Sequence, residues 1–363
     1  MHVLIDIGHP SQVHLFRNFI DQFKADGHRV TVTAKEKDMT LQLLDDLGIE
    51  YTSIGKVRCG LVWKLLSSLG MIGKLVSIIR KDKPDLLISK GSPYLGVAGR
   101  LTGKEHLVYC ADTEIGTINE FVHNWLATHI VGATWSSAQF PVKKTTRVPI
   151  LKELAYLHPR FFQQNANILD QLGVRRDERF FLVRFVAWNA HHDVGHKGMS
   201  VQDKRDLVNF LEQRGKVFIS SEAELPEDMR KYEVPTAPND IHQVLSFASL
   251  HVGEGGTMIT ESAVVGTPAI FVSPVAKKLS NFDILENKYR LVWSFEDSRG
   301  VTEKIDEILN ETDNNVWLRR RDALIDDTVD TTSLLREMVM ERSCHEPLQA
   351  QPKRVPESTL QKR

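Results

Sequence analysis

The stretch His251–Val272, HVGEGGTMITESAVVGTPAIFV, has the order of a strand, a glycine turn, a helix, a second turn and a second strand. Its first turn holds Gly253, Gly255 and Gly256. Residues without a Cβ atom can adopt positive φ and let a ligand approach the backbone closely. Thr257 follows as the expected N-cap of the helix, because its hydroxyl can accept from a free first-turn N–H. The stretch therefore predicts a strand–turn–helix unit with a turn open to a ligand.

The start of this helix has the features of a nucleotide-sugar site. Unpaired N–H groups and partial positive charge at a helix N-terminus can hold a phosphate, here at Gly255, Gly256 and Thr257. Glu261 lies one turn further along the same helix face, where a carboxylate can accept hydrogen bonds from a ribose diol. The alternative is an ordinary α/β turn with a capping threonine and a solvated glutamate. The spacing favours a bound nucleotide diphosphate sugar.

Two motifs carry a resemblance to known families. The order G-x-G-G-T-x-x-x-E-x-x-x-x-G-x-P, from Gly253 to Pro268, resembles the donor-binding segment of GT-B fold glycosyltransferases. It is similar also to that of the related non-hydrolysing UDP-N-acetylglucosamine 2-epimerases. The opening D-I-G-H-P at residues 6–10, with the helix after it, resembles more closely a GT-B-like bacterial and archaeal family known as a domain of unknown function. The resemblance covers about residues 1–340 and implies an α/β protein of two Rossmann-like, doubly wound domains with an interdomain cleft.

Pattern and resemblance together predict three parts of the chain. Residues 1–150 are expected to form the acceptor-side domain, because apolar strands alternate there with helices, as in a parallel sheet. Residues 151–340 are expected to form the donor domain. Residues 341–363 lose apolar periodicity and gain Pro, Gln, Lys and Arg, so they are expected to be a disordered tail.

Composition excludes several classes of protein. The chain has 363 residues, 42% hydrophobic and 26% charged, with a net charge of −1, so no basic field predicts nucleic-acid binding. Its three cysteines have no metal-type spacing and favour a reducing, cytoplasmic location. We see no signal peptide, and no apolar run reaches the about 18 residues of a spanning helix.

The first turn of the chain supplies two candidate acceptor-side histidines. His9 lies in the turn at the carboxyl end of the first predicted strand, where ligands of parallel sheets bind, and His14 lies in the helix after it. In the resembled families, a histidine or acidic group near this loop faces the acceptor. An imidazole suits a catalytic base because its pKa is near neutrality. The alternative is that His9 only bonds its own turn.

Two further strand ends of the first half carry candidates. Gly91 and Ser92 follow the strand that ends at Ser89, and we expect Ser92 to cap the next helix first and contact a ligand second. Asp112 and Glu114 follow the strand near His106–Tyr109 and could each act as the acceptor-side base. The alternative for both carboxylates is capping and loop bonding.

Residues 58–83, RCGLVWKLLSSLGMIGKLVSIIRKDK, are both apolar and basic, with no acid before Asp82. This pattern fits one helix, or two short ones broken at Gly70, lying on an anionic bilayer. It resembles the membrane-facing patch of lipid-acceptor GT-B transferases. The alternative is a core helix with a basic edge, in which Trp63 and its leucine neighbours pack on the sheet.

The loop after the strand at Phe180–Phe185 is dense in polar residues, and two interpretations compete. One is contact with donor diphosphate and sugar by Arg184, Asn189 and Lys197. The other is a metal site, although the loop lacks the helical spacing of a zinc motif such as His-Glu-x-x-His. We favour donor contacts and expect no metal, since GT-B enzymes as a group hold the diphosphate without one. The metal alternative would use His191, His192, Asp193 and His196.

The resemblance implies that the loop after Val272 contacts the donor sugar, which makes Asn281 and Asp283 candidates. The leading functional hypothesis is a glycosyltransferase that uses a nucleotide diphosphate sugar and no further cofactor, acting on a glycan or lipid-linked acceptor. A 2-epimerase of the same fold and a non-catalytic nucleotide-sugar binding protein are the alternatives. The sequence does not indicate the oligomeric state.

Overall fold

The structure, a computed structural model, describes residues 1–37, 39–57, 60–111, 121–186, 199–221, 223–313 and 315–343. Within these ranges the chain forms two parallel β-sheets. The first has seven strands in the order β3-β2-β1-β4-β5-β6-β7. Its strands are β1 (His2–Ile7), β2 (Arg29–Lys35), β3 (Thr52–Gly55), β4 (Leu86–Ser89), β5 (His106–Ala111), β6 (His129–Ala133) and β7 (Thr145–Val148).

The second sheet has five strands in the order β12-β11-β10-β8-β9, also all parallel. Because the carboxyl ends of parallel strands lie at one edge of a sheet, the turns after β8, β10 and β11 are neighbours. The strands are β8 (Phe180–Phe185), β9 (Lys216–Ser221), β10 (Leu250–Gly253), β11 (Ala269–Val272) and β12 (Val292–Phe295).

Helices connect successive strands, as the parallel pairing requires. In chain order the helices of the first half are α1 (Pro10–Ala25), α2 (Thr40–Asp46), α3 (Leu61–Asp82) and α4 (Pro93–Thr102). Those that follow the first sheet are α5 (Leu154–Leu157), α6 (Asn167–Leu172), α7 (Val201–Glu212), α8 (Ile241–Phe247), α9 (Gly256–Val265), α10 (Ser280–Asn287), α11 (Val301–Leu309), α12 (Val316–Asp326) and α13 (Thr331–Ser343).

Both faces of each sheet are buried, because alternate residues of a strand point to opposite sides. On β1, Val3 and Ile5 belong to the main core with α1, whereas Leu4 packs in a separate cluster with α3 and α4. On β8, Leu182 joins the main core and Phe181 packs with α7 on the other face. The predicted fold of two doubly wound Rossmann-like sheets is therefore confirmed.

The two halves share one continuous core and several polar contacts. The main cluster of buried apolar side chains includes residues of α1, α5, α9 and α13. Asn18 on α1 donates to the Ala155 carbonyl in α5 at 2.7 Å. The Ser137 N–H, after β6, donates to Ser280 Oγ on α10 at 3.1 Å. These contacts place the carboxyl edges of the two sheets on either side of a common junction.

The last helix crosses back to the first half, as the resemblance implies. Arg336 on α13 pairs with Asp26 after α1 at 2.7 Å, and the Tyr109 hydroxyl on β5 donates to the Thr331 carbonyl at 2.5 Å. The first sheet ends at Val148 and the second begins at Phe180. The predicted boundary at residue 150 lies between them, and α13 packs against the first half although its residues follow the second sheet.

Several sequence-based expectations differ from the structure. Sequence reasoning assigned no strand to residues 141–149, but β7 lies there and extends the first sheet from β6. α8 begins at Ile241 with Asp240 at its N-cap position, after a short 3-10 turn. The final helical stretch expected over residues 315–340 is two helices, α12 and α13.

Residues 61–82 form one unbroken helix, α3, so of the two expected forms the single helix is present and the break at Gly70 is not. Over Val62–Asp82 this helix is long and apolar enough to cross a membrane, which corrects the expectation that no such run exists. Few of its apolar residues are covered: Trp63, Leu65 and Leu66 are each more than half exposed. The alternative of a core helix packed on the sheet is therefore wrong for the first two turns.

Candidate functional site

The turn between β10 and α9 differs in detail from the prediction. Gly255, with φ −100° and ψ 107°, is the N-cap of α9, and Thr257 is the second residue of the helix. The predicted threonine cap is wrong, because the cap position is the extended residue Gly255, two residues earlier, and the helix begins at Gly256. Gly253, Gly255 and Gly256 are also absent from the residues with positive φ.

Glycine is needed in this turn for space rather than for a special backbone conformation. A Cβ atom on Gly253 would lie 3.0 Å from His251 Nε2 and 3.2 Å from the Cβ of Arg184. A Cβ atom on Gly256 would lie 3.1 Å from a ring carbon of Phe282. The turn is therefore packed tightly against β8 and α10, which fixes the start of α9 close to both.

The N-terminus of α9 provides the N–H groups that the sequence predicted for a phosphate. The first-turn N–H groups of a helix have no intrahelical acceptor and carry partial positive charge. Gly255, Gly256 and Thr257 are all partly exposed. Ligands could therefore reach the start of α9 from the junction of the two halves.

Glu254, which the sequence analysis did not single out, lies in the same turn. Its Oε2 accepts from the Val186 N–H at 3.2 Å and pairs with Lys204 Nζ at 3.0 Å. The lysine side chain is 6% exposed, so the pair is largely shielded from water. Lys204 offsets a negative charge that would otherwise oppose a phosphate at α9. The only hint of Glu254 in the sequence is that this acidic residue lies between Gly253 and Gly255.

Arg184 lies beside this turn, as predicted. It is aligned with Gly253 in the pairing of β8 with β10, and the Glu254 N–H donates to its carbonyl at 3.0 Å. Its Nη1 donates to Ser220 Oγ on β9 at 2.7 Å. The guanidinium is thus held at the carboxyl edge of the second sheet.

Four candidates fall where the structure gives no description. In the part of the chain that is described, no group of three or more His, Cys, Asp or Glu side chains could hold a metal ion. The candidates outside the described residues are Asp112, Glu114, Asn189 and Lys197, and the metal set is His191, His192, Asp193 and His196.

Glu261 is a buried carboxylate rather than a solvated one. The residue is 4% exposed and lies on α9 one turn after Thr257. Its Oε1 accepts from the Tyr156 hydroxyl at 2.6 Å and contacts His242 Nε2 at 3.1 Å, which requires the imidazole proton on Nε2. None of the residues described donates to Oε2, so this second oxygen is available for a ligand hydroxyl.

The environment of Glu261 favours its ionised form. Burial alone would raise the pKa of the carboxyl, but the charge and hydrogen bond of His242 and the Tyr156 hydroxyl outweigh it and lower the pKa to about 2. Burial, the Glu261 charge and the hydrogen bond to it raise the pKa of Tyr156 well above its usual value, so that the phenol stays a donor. The pair therefore holds one fixed negative charge with one fixed donor.

His14 joins this cluster from the first half of the molecule. Its ring centroid lies 5.2 Å from the Tyr156 ring and 5.2 Å from the His242 ring. Burial, His242 and Arg17 together lower the pKa of His14 to about 3, against the opposing pull of Glu261. His14 is therefore neutral near pH 7. We call Glu261, Tyr156, His242 and His14 the interface cluster.

Sequence reasoning missed Tyr156 and His242. Tyr156 is 105 residues before Glu261, in the short apolar helix α5. His242 is on α8, 19 residues before Glu261. The local signals in the sequence were weak. Tyr156 supplies one hydroxyl in an apolar segment, and His242 is one histidine in the first turn of α8, the helix before the glycine turn.

On the first-half side, His9 and Ser92 both cap helices. His9 Nδ1 accepts from the Ser11 N–H at 3.2 Å and contacts Ser11 Oγ at 3.0 Å, and the residue is exposed. Ser92 Oγ accepts from the Leu95 N–H at 3.2 Å and also hydrogen-bonds Asp6. Both turns lie at the carboxyl edge of the first sheet, and the ring of His9 is accessible there.

Asp6 and Gly91 complete this edge. Asp6 on β1 is 2% exposed and accepts from Thr33 Oγ1 at 2.7 Å. Burial raises the pKa of Asp6 despite its hydrogen bonds from Ser92 and Thr33. Gly91 has φ +103°, a conformation that favours glycine, and its N–H donates to Ser89 Oγ at 3.0 Å. Asp6 was not among the sequence candidates, although it precedes the glycine turn.

The two candidates after β11 lie on α10. Asn281 is partly buried, and its Nδ2 approaches Thr260 Oγ1 on α9 at 3.4 Å. Asp283 is exposed and accepts from Asn287 Nδ2 in its own helix at 2.7 Å. Of the two, only Asn281 is in contact with α9.

Comparison with known proteins bears on the fold and the family of the chain. An uncharacterised protein of Methanocaldococcus jannaschii is 24% identical over 94% of this chain and 98% of its own length. The UDP-GlcNAc 2-epimerase of Neisseria meningitidis, solved with UDP-GlcNAc bound, matches with a TM-score of 0.65 at 12% identity, over 94% of this chain and 100% of that one. MurG of Acinetobacter baumannii matches with a TM-score of 0.59 at 15% identity, over 94% and 99%.

These solved structures establish the fold. They establish the fold alone, because their sequence identities are too low to transfer an activity. The model of one family, described as a protein of unknown function, DUF354, matches residues 1–343, a range that includes every described residue. The expected kinship with a GT-B-like family of unknown function is confirmed. The chain has the GT-B fold and belongs to the DUF354 family.

Proposed function

We propose that the protein is a glycosyltransferase that moves a sugar from a nucleotide diphosphate sugar to a glycan or lipid-linked acceptor. The observation that carries this proposal is Glu261. Its carboxylate is ionised, has one oxygen not used by a described donor, and lies one turn beyond the N-terminus of α9. A diphosphate at Gly255–Thr257 and a ribose diol at Glu261 Oε2 would use both features of one helix.

The similar proteins support a nucleotide-sugar ligand. The epimerase of N. meningitidis was solved with UDP-GlcNAc, and MurG has the same fold. We therefore propose a uridine diphosphate sugar as the first donor to test. No further cofactor and no nucleic acid enters the proposal. Arg184 would meet the diphosphate and Asn281 the sugar, because they flank α9 from β8 and from α10.

In the proposed reaction an acceptor hydroxyl attacks the anomeric carbon of the donor sugar. A carbon–oxygen bond forms there, the bond from the anomeric carbon to the diphosphate oxygen breaks, and the nucleoside diphosphate leaves. The N-terminus of α9 would stabilise the negative charge that develops on the leaving diphosphate. The acceptor proton goes to a base on the first half of the molecule.

His9 is the better candidate for that base than His14. His9 is exposed at the carboxyl edge of the first sheet. The pKa of His14 is lowered to about 3, chiefly by burial, so its ring is a poor proton acceptor near neutral pH. We propose that His14 positions the interface cluster, and that Asp112 or Glu114 is the alternative base.

An epimerase of the same fold is the second candidate function. The UDP-GlcNAc 2-epimerases of N. meningitidis and of M. jannaschii both cover 94% of this chain. An epimerase needs acid and base groups beside the sugar but no acceptor. A protein that only binds nucleotide sugars is the third candidate and predicts binding without turnover.

Isothermal titration calorimetry with UDP and UDP-N-acetylglucosamine tests the donor site directly. We expect Glu261→Gln to weaken donor binding about 10- to 100-fold, because hydrogen bonds to a charged group contribute about 1.5–3 kcal/mol. The matched control is Glu303→Gln, which changes an exposed carboxylate on α11 and should leave binding unchanged. Equal affinities for the two variants, or no binding of any nucleoside diphosphate sugar to the wild type, would contradict the proposal.

Nuclear magnetic resonance of the donor then separates the three functions. Incubation of the protein with the donor alone should leave the sugar unchanged, and a candidate acceptor should release nucleoside diphosphate. An epimerised sugar in the absence of acceptor would identify the epimerase. Binding with neither product, across a panel of glycan and lipid-linked acceptors, would favour the binding protein. Adding EDTA should change none of these results, because the proposal includes no metal.

A further inference from the structure

The first two turns of α3 expose large apolar side chains to solvent. The exposed fractions are 67% for Val62, 56% for Trp63, 62% for Leu65, 53% for Leu66 and 56% for Leu69. We call these five residues the α3 patch. Single exposed apolar residues are ordinary on a protein surface, but five within two turns are typical of an interaction site.

The second half of α3 is held in the core of the first domain. Met71, Leu75 and Ile79 are 2% exposed or less and pack in a cluster with β4 and α4. The helix therefore has an anchored half and a projecting half. A membrane-spanning orientation would require Met71, Leu75 and Ile79 to leave this core, so α3 fits a helix that lies on a membrane rather than one that crosses it.

The charge of α3 selects the kind of surface that it fits. Lys64, Lys74, Arg80 and Lys81 are all exposed, and the helix has no acidic residue before Asp82. Basic residues next to a projecting apolar surface are the pattern of helices that bind anionic lipid surfaces. A protein partner would not by itself explain why every charge before Asp82 has the same sign.

The α3 patch lies near the proposed acceptor side of the cleft. β3 ends at Gly55, and α3 begins at Leu61 and runs back to β4, which is parallel to β1. The start of α3 is therefore at the carboxyl edge of the first sheet. That edge also holds His9 and Ser92.

We propose that the α3 patch docks the protein on the surface of an anionic bilayer, with the first two turns of α3 among the headgroups. For a cytoplasmic protein this surface is the inner face of the membrane. The docking itself does not depend on the proposed function. The consequence that the acceptor is presented by the membrane does rest on it. A lipid-anchored hydroxyl would then reach the cleft without leaving the bilayer.

Vesicle flotation of the full chain tests the docking without donor or acceptor. The wild type should float with vesicles of phosphatidylcholine and phosphatidylglycerol, and poorly with phosphatidylcholine alone. The double variant Leu65→Gln, Leu66→Gln should reduce the bound fraction about tenfold or more, because two apolar side chains no longer enter the bilayer. Raised salt should weaken binding, since charges contribute.

A matched control removes two exposed apolar side chains elsewhere. Val142 is 90% exposed and Leu318 is 40% exposed, and Val142→Gln, Leu318→Gln should float like the wild type. Melting temperatures of both double variants should equal that of the wild type, because the changed side chains lie at the surface. A third variant, Lys64→Glu, Lys74→Glu, should lose the preference for anionic vesicles.

The proposal is overturned if the wild type does not float, or if the patch variant and the control variant float equally. It is overturned also if light scattering shows a dimer of the wild type that the patch variant alone converts to a monomer without lipid, since a second copy would then cover the patch. Failure of donor binding with intact flotation would reject only the proposed function. The reverse result would reject only the docking.

Discussion

The turn after β1 and the turn after β10 both lead from a buried parallel strand through glycine into a helix. In the first, His9 is exposed and its ring caps its own helix at Ser11. In the second, no side chain caps the helix, and Glu261 one turn later is buried and bonded by Tyr156 and His242. The polar groups of the first turn are satisfied locally, whereas those of the second are satisfied across the molecule.

The difference shows that a strand–glycine–helix order does not by itself define a role. The first turn leaves the His9 imidazole accessible, which suits a group that reacts with the acceptor. The second turn fixes a carboxylate in one charge state, which suits recognition of a constant part of a ligand. His14 links the two, because it lies on the helix of the first turn and contacts the cluster of the second.

The largest expected effect is acid destabilisation through this link. Burial lowers the pKa of His14 and of His251 to about 3, so the folded state keeps both rings neutral while the unfolded chain takes up protons below pH 6.5. Stability is therefore full above pH 6.5 and is lost as the pH falls. Between pH 7.5 and 4.5 the two rings should together lower the free energy of unfolding by about 4 kcal/mol, with the contribution of His14 discounted for its partial exposure.

Urea unfolding of the wild type and of His14→Gln at pH 7.5 and 4.5 measures this loss. The variant should recover about 2 kcal/mol at pH 4.5, because glutamine does not titrate and His251 still does. An identical pH dependence of the two proteins would show that His14 is not held neutral by the interface cluster. Glu261, whose pKa is lowered to about 2, adds its own loss only below about pH 4.5 and in the same direction.

A smaller effect is expected from Tyr156→Phe. The change removes a 2.6 Å hydrogen bond to an ionised carboxylate while keeping the ring, and should reduce the free energy of unfolding by about 2 kcal/mol. Tyr289→Phe is the control, because its hydroxyl also donates to a carboxylate, at Asp327, but in a less buried place. Denaturant unfolding at pH 7.5 measures both. A larger loss in the control would mean that the Tyr156 bond contributes little to stability.

The smallest effect on stability is expected from His9→Ala. The imidazole caps α1 at an exposed position, and loss of a cap costs about 1 kcal/mol. His9→Asn is the matched control, because asparagine restores a capping acceptor without a basic ring. Donor affinity should be unchanged in both variants, while turnover with an acceptor should fall in both if the ring is the base. Recovery of stability but not of turnover by asparagine would separate the two roles of His9.

The sequence predicted the alternation of strands and helices in parallel sheets and the helix that carries Glu261, because periodicity and glycine spacing are local signals. It did not predict that Glu261 is buried, since Tyr156 is 105 residues away and only tertiary packing joins them. β7 was missed because Thr145–Val148 is a polar edge strand without a buried pattern. The expected positive φ at Gly253 is absent for a different reason. A glycine is needed there because a Cβ atom would come too close to the His251 side chain.

The return of α13 to the first domain has a consequence for the making of the protein. On the ribosome, residues 1–150 emerge long before Thr331–Ser343, yet α1 packs on that last helix and Asp26 and Glu105 find their arginine partners there. The first half of the chain is synthesised first, but it acquires its full set of contacts only after the last helix has been synthesised. Until the final helix arrives, the face of α1 that it covers is open to chaperones and to premature association.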